Sequence, residues 1–278
     1  MYGWQPVFSC MFCVYKNNMA LLESEKSQVE GIVKSSLDKA ESVWCNHGKE
    51  LVKAAIVAED FARSDSAHEI VQSKIPHHPL VDGDHPKVAD FIALVADMRN
   101  SSKHLLCAIS EKTSDVSLLQ RVYYETSALL PALEMTLSFN DGAVTEYLGD
   151  GLLALFFVDK SDKEEAIRKA YRSANNCLGD TRSIVNEELK SRYRLPALDI
   201  GIGLSYSKAL VQLVGIVGER HPKVIGNCIY YASKLSGGRN EIYADDTIRN
   251  LWPASKGGKL QFTKKAIRGT DGFLVSQK

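Results

Sequence analysis

Two apolar segments that each meet an aspartate constrain this chain most. Val88 to Ala96 is long enough for a buried strand and runs directly into Asp97, while Asp150 sits in a Gly-Asp-Gly turn between two strand-like runs. An aspartate at the end of a buried strand is costly unless it is paired, capped or bound to a metal. The chain must therefore fold so that both carboxylates find a compensating partner.

The segments around these aspartates follow the order strand, helix, strand, strand, helix, strand. The ones that define this order are Val88–Ala96, Ser117–Leu137, Glu146–Leu148, Leu152–Val158, Lys163–Leu189 and Leu198–Leu204. The order predicts an α+β fold with a ferredoxin-like βαββαβ core. In that core the first strand lies beside the central hairpin, so we expect Asp97 and Asp150 to meet at one edge of the sheet. Elements expected outside the core are Ala209–Val217, Ile229–Leu235, Glu241–Ala244 and Gly272–Val275.

Two carboxylates at one sheet edge point to a divalent cation. Aspartate oxygens are hard ligands that suit Mg²⁺ or Mn²⁺ held beside a triphosphate. Taken singly, each aspartate also has an ordinary explanation, Asp150 as a turn residue and Asp97 as the N-cap of a helix. The backbone N–H groups that follow Asp97 are expected to receive phosphate oxygens. These belong to Met98, Arg99, Asn100, Ser101 and Ser102.

The first 85 residues are expected to form a helical extension and a linker, and residues 86–278 the catalytic domain. Residues 20–73 have mainly helical periodicity, including a stretch at Lys49–Ala62. Proline, glycine and aspartate are then frequent up to Pro86, which predicts a polar linker. Three histidines in this linker (His77, His78 and His85) are interpreted as solvated residues in preference to metal ligands.

Composition excludes several classes of protein. The 34 basic and 34 acidic residues balance, so no net charge draws the chain to nucleic acid or to an anionic membrane. The sequence contains no run of 18 apolar residues, so it predicts no membrane-spanning helix. The N-terminus lacks the pattern of a secretory signal. We therefore expect a cytoplasmic protein with reduced cysteines. Cys10 and Cys13 form a single C-x-x-C pair with no second pair, which is weak support for a metal site.

From Val88 onward the chain resembles the catalytic domain of class III nucleotidyl cyclases. The family's first strand ends in a metal-binding aspartate, as at Asp97, and its hairpin has an Ile-Gly-Asp-Ala-like motif, matched by Leu148 to Gly151. A strand with a Gly-Ile core is matched by Asp199 to Gly203. The family's Ile-Gly-Asp-x-Val-Asn-x-Ala-x-Arg-Leu helix resembles Val224 to Leu235. These motifs occur in the family's order along about two thirds of the chain.

The resemblance implies a set of site residues. Asp97, the backbone of Met98 and Asp150 are the implied ligands of two Mg²⁺ or Mn²⁺ ions, and the family forms homodimers whose sites lie between subunits. Where purine cyclases have an asparagine and an arginine that stabilise the transition state, this chain has Tyr230 and Lys234. The spacing of four keeps both on one helical face.

The same resemblance assigns the residues that read the base and the outer phosphates. Glu146 and Asn227 stand at the base-reading positions of the family, and Tyr147 is a bulky residue expected to narrow the base pocket against a purine. Arg268 matches a region where family members place a cation on the outer phosphates. An ordinary surface arginine is the equal alternative for Arg268.

This combination is similar to the bacterial Pycsar anti-phage cyclases, which make cyclic UMP or cyclic CMP as a signal to a separate effector. The resemblance implies conversion of UTP, slightly favoured over CTP, to the 3′,5′-cyclic monophosphate and pyrophosphate. The alternatives are a guanylyl or other purine cyclase, and a cyclase-like module that binds nucleotide or dimerises without catalysis. A diguanylate cyclase relative is disfavoured because no Gly-Gly-Asp/Glu-Glu-Phe signature is present.

Overall fold

An eight-stranded sheet forms the middle of the protein. The computed structural model describes residues 20–54, 70–101, 116–253 and 258–277. A separate short hairpin consists of β1 (Ile70–Gln72) and β2 (Leu80–Asp82). The strands of the main sheet are β3 (Lys87–Met98), β4 (Ala143–Tyr147), β5 (Gly151–Phe157), β6 (Ile200–Val214), β7 (His221–Gly226), β8 (Glu241–Ala244), β9 (Leu260–Ile267) and β10 (Thr270–Gln277).

Six α-helices lie within the described residues. They are α1 (Glu23–Ala54), α2 (Leu118–Ser138), α3 (Lys163–Asn176), α4 (Arg182–Tyr193), α5 (Asn227–Leu235) and α6 (Asp246–Leu251). A π-helical turn, Cys177–Thr181, joins α3 to α4. A Ser117–Gln120 capping box begins α2, and the carboxylate of Asp162 caps α3. In these ranges no helix combines the length and apolar character needed to cross a membrane.

The sheet contains the predicted βαββαβ core. Its strand order is β4-β5-β3-β6-β8-β10-β9, with β7 paired to the second half of β6. The first four strands of this order, with α2 and the α3–α4 pair, make a ferredoxin-like arrangement. The α+β prediction is therefore confirmed. β6 is a single long strand where the sequence predicted two, because it pairs with β3 without interruption from Met98↔Ile200 to Lys87↔Val211.

Four strands and one helix were missed by the sequence patterns. β1 and β2 fall in the segment predicted as helix and linker, so the prediction of helix through residue 73 is wrong at its end. The helix seen there ends at Ala54, and residues 55–69 lie outside the described ranges. β9 is a sheet-edge strand with many exposed residues, and β7 contains Pro222, which is tolerated where no ladder N–H is needed. α6 is too short for a periodic signal.

Side chains of β3 point alternately into two separate cores. Ile92, Leu94 and Met98 belong to the core under α1, α2, α3 and α4, which we call the α2 face of the sheet. Phe91 and Val95 belong to the core under α5 and the β1–β2 hairpin, which we call the α5 face. Since both faces are covered, β3 reads as a continuous apolar run.

The described part of the first 85 residues packs on this sheet. Val33 and Leu37 of α1 are fully buried in the core of the α2 face. Arg192 on α4 donates hydrogen bonds to Asp38 at 2.6 Å and to Glu41 at 3.2 Å. The β1–β2 hairpin contributes Ile75 and Val81 to the core of the α5 face. The division at residue 85 remains a prediction, and these contacts couple both sides of it.

Two of the three linker histidines, His77 and His85, contact neighbouring side chains, and His78 is partly buried. His77 stacks on Phe157 with ring centroids 4.0 Å apart, and His85 lies 2.9 Å from Asp82. Nε2 of His78 is buried, and burial lowers the pKa of that histidine. Among the cysteines, Cys45, Cys177 and Cys228 are free thiols, while Cys10 and Cys13 lie outside the described residues.

Two glycines of β6 bring α5 directly onto the sheet. A Cβ at Gly203 would fall on the carbonyl oxygen of Ala232 and lie 2.6 Å from the backbone nitrogen of Ser236. A Cβ at Gly201 would fall on the carbonyl oxygens of Ser236 and Gly238. The strand and the helix end are therefore in backbone contact, and any side chain here would push them apart.

We expect Gly203→Ala to lower the free energy of unfolding by about 1–3 kcal/mol, because the added methyl group meets rigid backbone. The control is Gly31→Ala in α1, where the added methyl group meets nothing within 4 Å. That change should raise the free energy of unfolding by about 0.5–1 kcal/mol. Urea denaturation of the two variants measures both values, and equal stability of the two would contradict the packing described.

Candidate active site

Asp97 and Asp150 lie at the same end of two neighbouring strands. Asp97 is the second-last residue of β3 and pairs with Gly151 of β5 and with Gly201 of β6. Asp150 directly precedes Gly151 in the turn between β4 and β5. Gly149 in that turn has φ of 75°, a left-handed conformation that favours glycine. The register of the sheet thus brings the two aspartates side by side.

Gly151 permits this close approach. A Cβ at this position would lie 2.6 Å from the carbonyl oxygen of Ala96 and 3.4 Å from Oδ1 of Asp97. Any side chain at Gly151 would therefore collide with the β3 backbone immediately before Asp97. The Gly-Asp-Gly turn consequently has two constrained glycines, one for its conformation and one for space.

Two guanidinium groups contact the Asp97 carboxylate. Nη2 of Arg99 donates to Oδ2 of Asp97, and Nη2 of Arg268 lies 3.5 Å from the same oxygen. Burial, and then the nearby charge of Arg268, lower the pKa of Arg99, whereas Asp150 acts in the opposite direction. Both carboxylates therefore act on a cation that lies among them.

The two carboxylates have the chemistry of ligands for a divalent cation. The Arg99 guanidinium shows that the two carboxylates attract positive charge at this point, and Asp97 and Asp150 supply the hard oxygen ligands that Mg²⁺ or Mn²⁺ requires. The Met98 side chain is buried on the α2 face, so only its backbone is available as a ligand. The parts of the chain described by the structure contain no cluster of three or more His, Cys, Asp or Glu suited to a metal.

The turn after β3 is held by backbone contacts. The N–H of Arg99 donates to the carbonyl of Asp199 at 2.7 Å. Asn100 has φ of 62°, and a helical residue, Ser101, follows it. Ser102, predicted to complete a phosphate-binding turn, lies outside the described residues.

Glu146 and Tyr147 point to opposite faces of the sheet. A β-bulge interrupts the register between Val144 and Glu146, after which Glu146 pairs with Leu153 and Tyr147 with Leu152. Directly opposed residues share a face, so Glu146 lies on the α5 face with Leu153. Tyr147 lies on the α2 face.

The partners of these two residues agree with this assignment. Glu146 forms an ion pair with Lys223 of β7 at 2.8 Å. The Tyr147 hydroxyl donates to Glu134 of α2, which also pairs with Lys74 at 3.1 Å. Burial and then the hydrogen bond to Glu134 raise the pKa of Tyr147. Sequence reasoning missed Lys223, because β7 has only a weak strand pattern.

Glu146 and Asp97 share the α5 face. They are separated by two strand spacings, roughly 10 Å, and by two residues along the strands, about 7 Å. Their separation of about 12 Å suits a ligand with a base at one end and phosphates at the other.

One face of α5 carries the predicted residues Asn227, Tyr230 and Lys234, together with Tyr231, which was not predicted. Asn227, Tyr230, Tyr231 and Lys234 follow a helical spacing, and Tyr230 is 58% exposed. Nζ of Lys234 lies 5.6 Å from the centre of the Tyr230 ring, in cation–π geometry. The first three of these residues line a groove of about 660 Å³ beside the acidic residues Asp245, Asp246 and Asp271.

Arg268 lies in the two-residue turn between β9 and β10. Arg268 and Gly269 have φ values of 48° and 74°, which is the pattern of a tight hairpin turn. The arginine stem lies against Gly237, where a Cβ would be 2.7 Å from Nε. A hairpin remote in sequence thus brings the Arg268 cation to Asp97, and the role of Arg268 stays a prediction.

Comparison with known proteins gives one sequence relative. The chain is 27% identical over 138 residues to an adenylate cyclase of Anabaena cylindrica. The alignment covers 47% of this chain and 26% of that protein, so the chain spans about a quarter of its relative's length. No protein-family model matches the chain.

Solved structures share the fold. The guanylyl cyclase Cya2 aligns with a TM-score of 0.53 at 16% identity, covering 69% of this chain and 93% of the other. The adenylyl cyclase CyaB from P. aeruginosa aligns with a TM-score of 0.53 at 13% identity, covering 70% and 97%. A class III adenylyl cyclase-like ATP-binding protein from Pseudomonas aeruginosa aligns with a TM-score of 0.53 at 20% identity, covering 77% of this chain and 44% of the other. The mixed α+β fold is that of class III cyclase catalytic domains.

We expect Glu146→Gln and Tyr147→Phe to differ in their effects on nucleoside triphosphate binding. Glu146→Gln removes a charged acceptor on the α5 face and should reduce discrimination among the four triphosphates by about 10-fold or more. Tyr147→Phe removes a hydroxyl that faces α2, so it should leave discrimination unchanged and lower the free energy of unfolding by about 1 kcal/mol. Calorimetric titration with each triphosphate tests the pair, and altered discrimination in Tyr147→Phe would contradict the face assignment.

Proposed function

We propose that this protein is a metal-dependent nucleotidyl cyclase that converts a pyrimidine nucleoside triphosphate to its 3′,5′-cyclic monophosphate and pyrophosphate. The observation that carries the proposal is the pair of carboxylates, Asp97 and Asp150, that face a cation at one end of β3 and β5. The fold supports it, because solved structures that share it include a guanylyl cyclase and an adenylyl cyclase. UTP is preferred to CTP in this proposal.

In the proposed reaction the ribose 3′ oxygen forms a bond to the α-phosphorus, the bond from that phosphorus to pyrophosphate breaks, and the 3′-OH proton is released. Two Mg²⁺ or Mn²⁺ ions, when bound, favour ionisation of the 3′-OH and neutralise charge on the triphosphate. Asp97, Asp150 and the backbone of Met98 would hold them. Arg268 orients the outer phosphates, for which its guanidinium is suited.

Base recognition is assigned to Glu146, Lys223 and Asn227. The Glu146 carboxylate accepts a hydrogen bond from N3–H of uracil or from the amine of cytosine. Lys223, 2.8 Å away, fixes that carboxylate and adds a donor beside it. Asn227 presents both a donor and an acceptor. The same donor–acceptor pair is compatible with a purine, so guanylyl cyclase activity is the alternative within this reaction class.

The site is proposed to be completed in a homodimer. Asp97, Asp150 and Glu146 come from one subunit, and Asn227, Tyr230 and Lys234 from the other. Large apolar side chains near α5 and β7 support this, since Tyr230, Tyr231, Val214, Ile216 and Ile225 are each between 41% and 58% exposed. Such a patch is typical of an interaction surface. Lys234 then faces the charge that develops on the α-phosphate, and Tyr230 donates a hydrogen bond.

In a cell, the cyclic nucleotide is proposed to act as an anti-phage signal on a separate effector protein. This part of the proposal rests on the resemblance to Pycsar cyclases given above. The reaction itself requires no such partner, so the two parts are separable by experiment.

A nucleotide-binding protein without turnover is the second candidate. The observation that favours it is the Arg99 contact on Asp97, which neutralises a proposed metal ligand. One of the structural relatives is described as an ATP-binding protein. Under this reading the protein binds a nucleoside triphosphate and releases no pyrophosphate.

We expect the purified protein, incubated with Mn²⁺ and each of ATP, GTP, CTP and UTP separately, to form cyclic UMP as its main product. Asp97→Asn should lower this activity by about 100-fold or more, because it removes a charged metal ligand. Arg168→Gln, an exposed change on α3, is the control. Mass spectrometry identifies the product. Formation of cyclic GMP would show that the substrate is a purine triphosphate. Binding of a triphosphate with no cyclic product in any incubation would favour a nucleotide-binding protein without turnover.

We expect mixing of two inactive variants to restore activity. In a dimer of Asp97→Ala with Lys234→Ala, one site lacks both side chains and the other has both. Random exchange of subunits should therefore give about a quarter of the wild-type rate. Complementation is measured after co-expression or subunit exchange, with each variant alone as the control. An inactive mixture that contains heterodimers would contradict a site built by two subunits.

A further inference from the structure

Arg99 is fixed beside Asp97 by contacts at both ends of the residue. Its backbone N–H donates to the carbonyl of Asp199 at 2.7 Å, and Nε donates to the carbonyl of Asp97 at 3.2 Å. Nη2 completes the arrangement by donating to Oδ2 of Asp97. The Arg99 side chain is only 11% exposed. It is therefore a built part of the site, unlike a surface arginine that samples solvent.

Oδ2 of Asp97 serves two guanidinium groups. Arg268 reaches it at 3.5 Å from the β9–β10 turn, with its stem packed on Gly237. An oxygen so occupied is a poor ligand for a divalent cation, because the incoming cation meets two like charges within a few ångströms. A metal at Asp97 and Arg99 at Asp97 are therefore competing arrangements.

A guanidinium released from Asp97 has a natural second partner. Arginine binds phosphate oxygens through two parallel hydrogen bonds, and a bound triphosphate places such oxygens beside the metal. The turn that carries Arg99 also presents its backbone to this region. If Arg99 exchanges the Asp97 carboxylate for a phosphate group of the triphosphate, its charge has an anionic partner in both states.

We propose that Arg99 is an exchangeable cation that neutralises Asp97 in the free protein and passes to the polyphosphate of the substrate when a divalent metal takes its place. This inference rests on the proposed function, since it requires metal and triphosphate to share the site. It gives the Arg99 side chain a role beyond the backbone contact expected from the sequence. It also makes metal binding and polyphosphate binding mutually favourable, because each removes the obstacle to the other.

The first test measures Mn²⁺ binding by electron paramagnetic resonance, without nucleotide. Arg99→Gln should bind Mn²⁺ at least about 5-fold more tightly than the wild type. Arg168→Gln, which removes the same charge from an exposed site on α3, should bind as the wild type does. Arg99→Lys keeps the charge but loses the planar guanidinium, so its Mn²⁺ affinity should lie between those of the wild type and Arg99→Gln. This variant replaces Arg99→Gln in the test if the glutamine variant is unstable.

The second test uses inorganic tripolyphosphate as the probe in metal-free buffer with EDTA. Asp97→Asn should raise tripolyphosphate affinity at least about 5-fold, because it frees Arg99. This gain should disappear when Asp97→Asn is combined with Arg99→Gln. Isothermal titration calorimetry on the four proteins of this cycle measures the coupling directly.

The outcomes separate this inference from the proposed function. Wild-type Mn²⁺ affinity in Arg99→Gln, an absence of Mn²⁺ binding in every variant, or an Asp97→Asn gain that persists without Arg99 would each overturn the exchange. If both shifts occur but no cyclic nucleotide forms from any triphosphate, the exchange stands and the proposed catalysis fails. If cyclic nucleotide forms without either shift, the proposed catalysis stands and the exchange fails.

Discussion

The central strand β3 is hydrogen-bonded along both edges and buried on both faces, and the position of the candidate site depends on this. Its register with β6 is unbroken over twelve residue pairs, and its register with β5 sets Asp97 opposite Gly151. A shift of one residue would turn Asp97 from the α5 face into the core of the α2 face. Because apolar side chains on both faces hold the register, packing positions the backbone of Asp97 at this end of the sheet.

The sequence was informative where its signal was local and regular. The order of six apolar and helical segments predicted the βαββαβ core, and that core with the Gly-Asp-Gly turn predicted that Asp97 and Asp150 are neighbours, although the chemical roles of these residues remain predictions. The β-bulge before Glu146 was not predictable, since it depends on how β4 meets β5. The Glu146–Lys223 pair joins segments far apart in the chain and needs the fold to be known first.

Electrostatic balance at the candidate site comes from three separate parts of the chain. Asp97 lies at the end of β3, Arg99 lies in the turn that follows it, and Arg268 lies in the β9–β10 turn. The Asp97 carboxylate is partly buried, and the two guanidinium groups supply its counter-charge. The candidate site thus combines one acidic and two basic groups in direct contact.

The bulge in β4 has a consequence for how such a site can change over time. With regular alternation after Val144, Tyr147 would take the α5 face and Glu146 would turn toward α2; the extra residue at Thr145 reverses this. The group presented to a ligand, a carboxylate or a phenol, therefore depends on whether the extra residue stays in the bulge. Loss of the Thr145 codon would remove the bulge and leave Glu146 opposite Leu153 and Tyr147 opposite Leu152, so the strand can shorten by one residue and still present the same carboxylate.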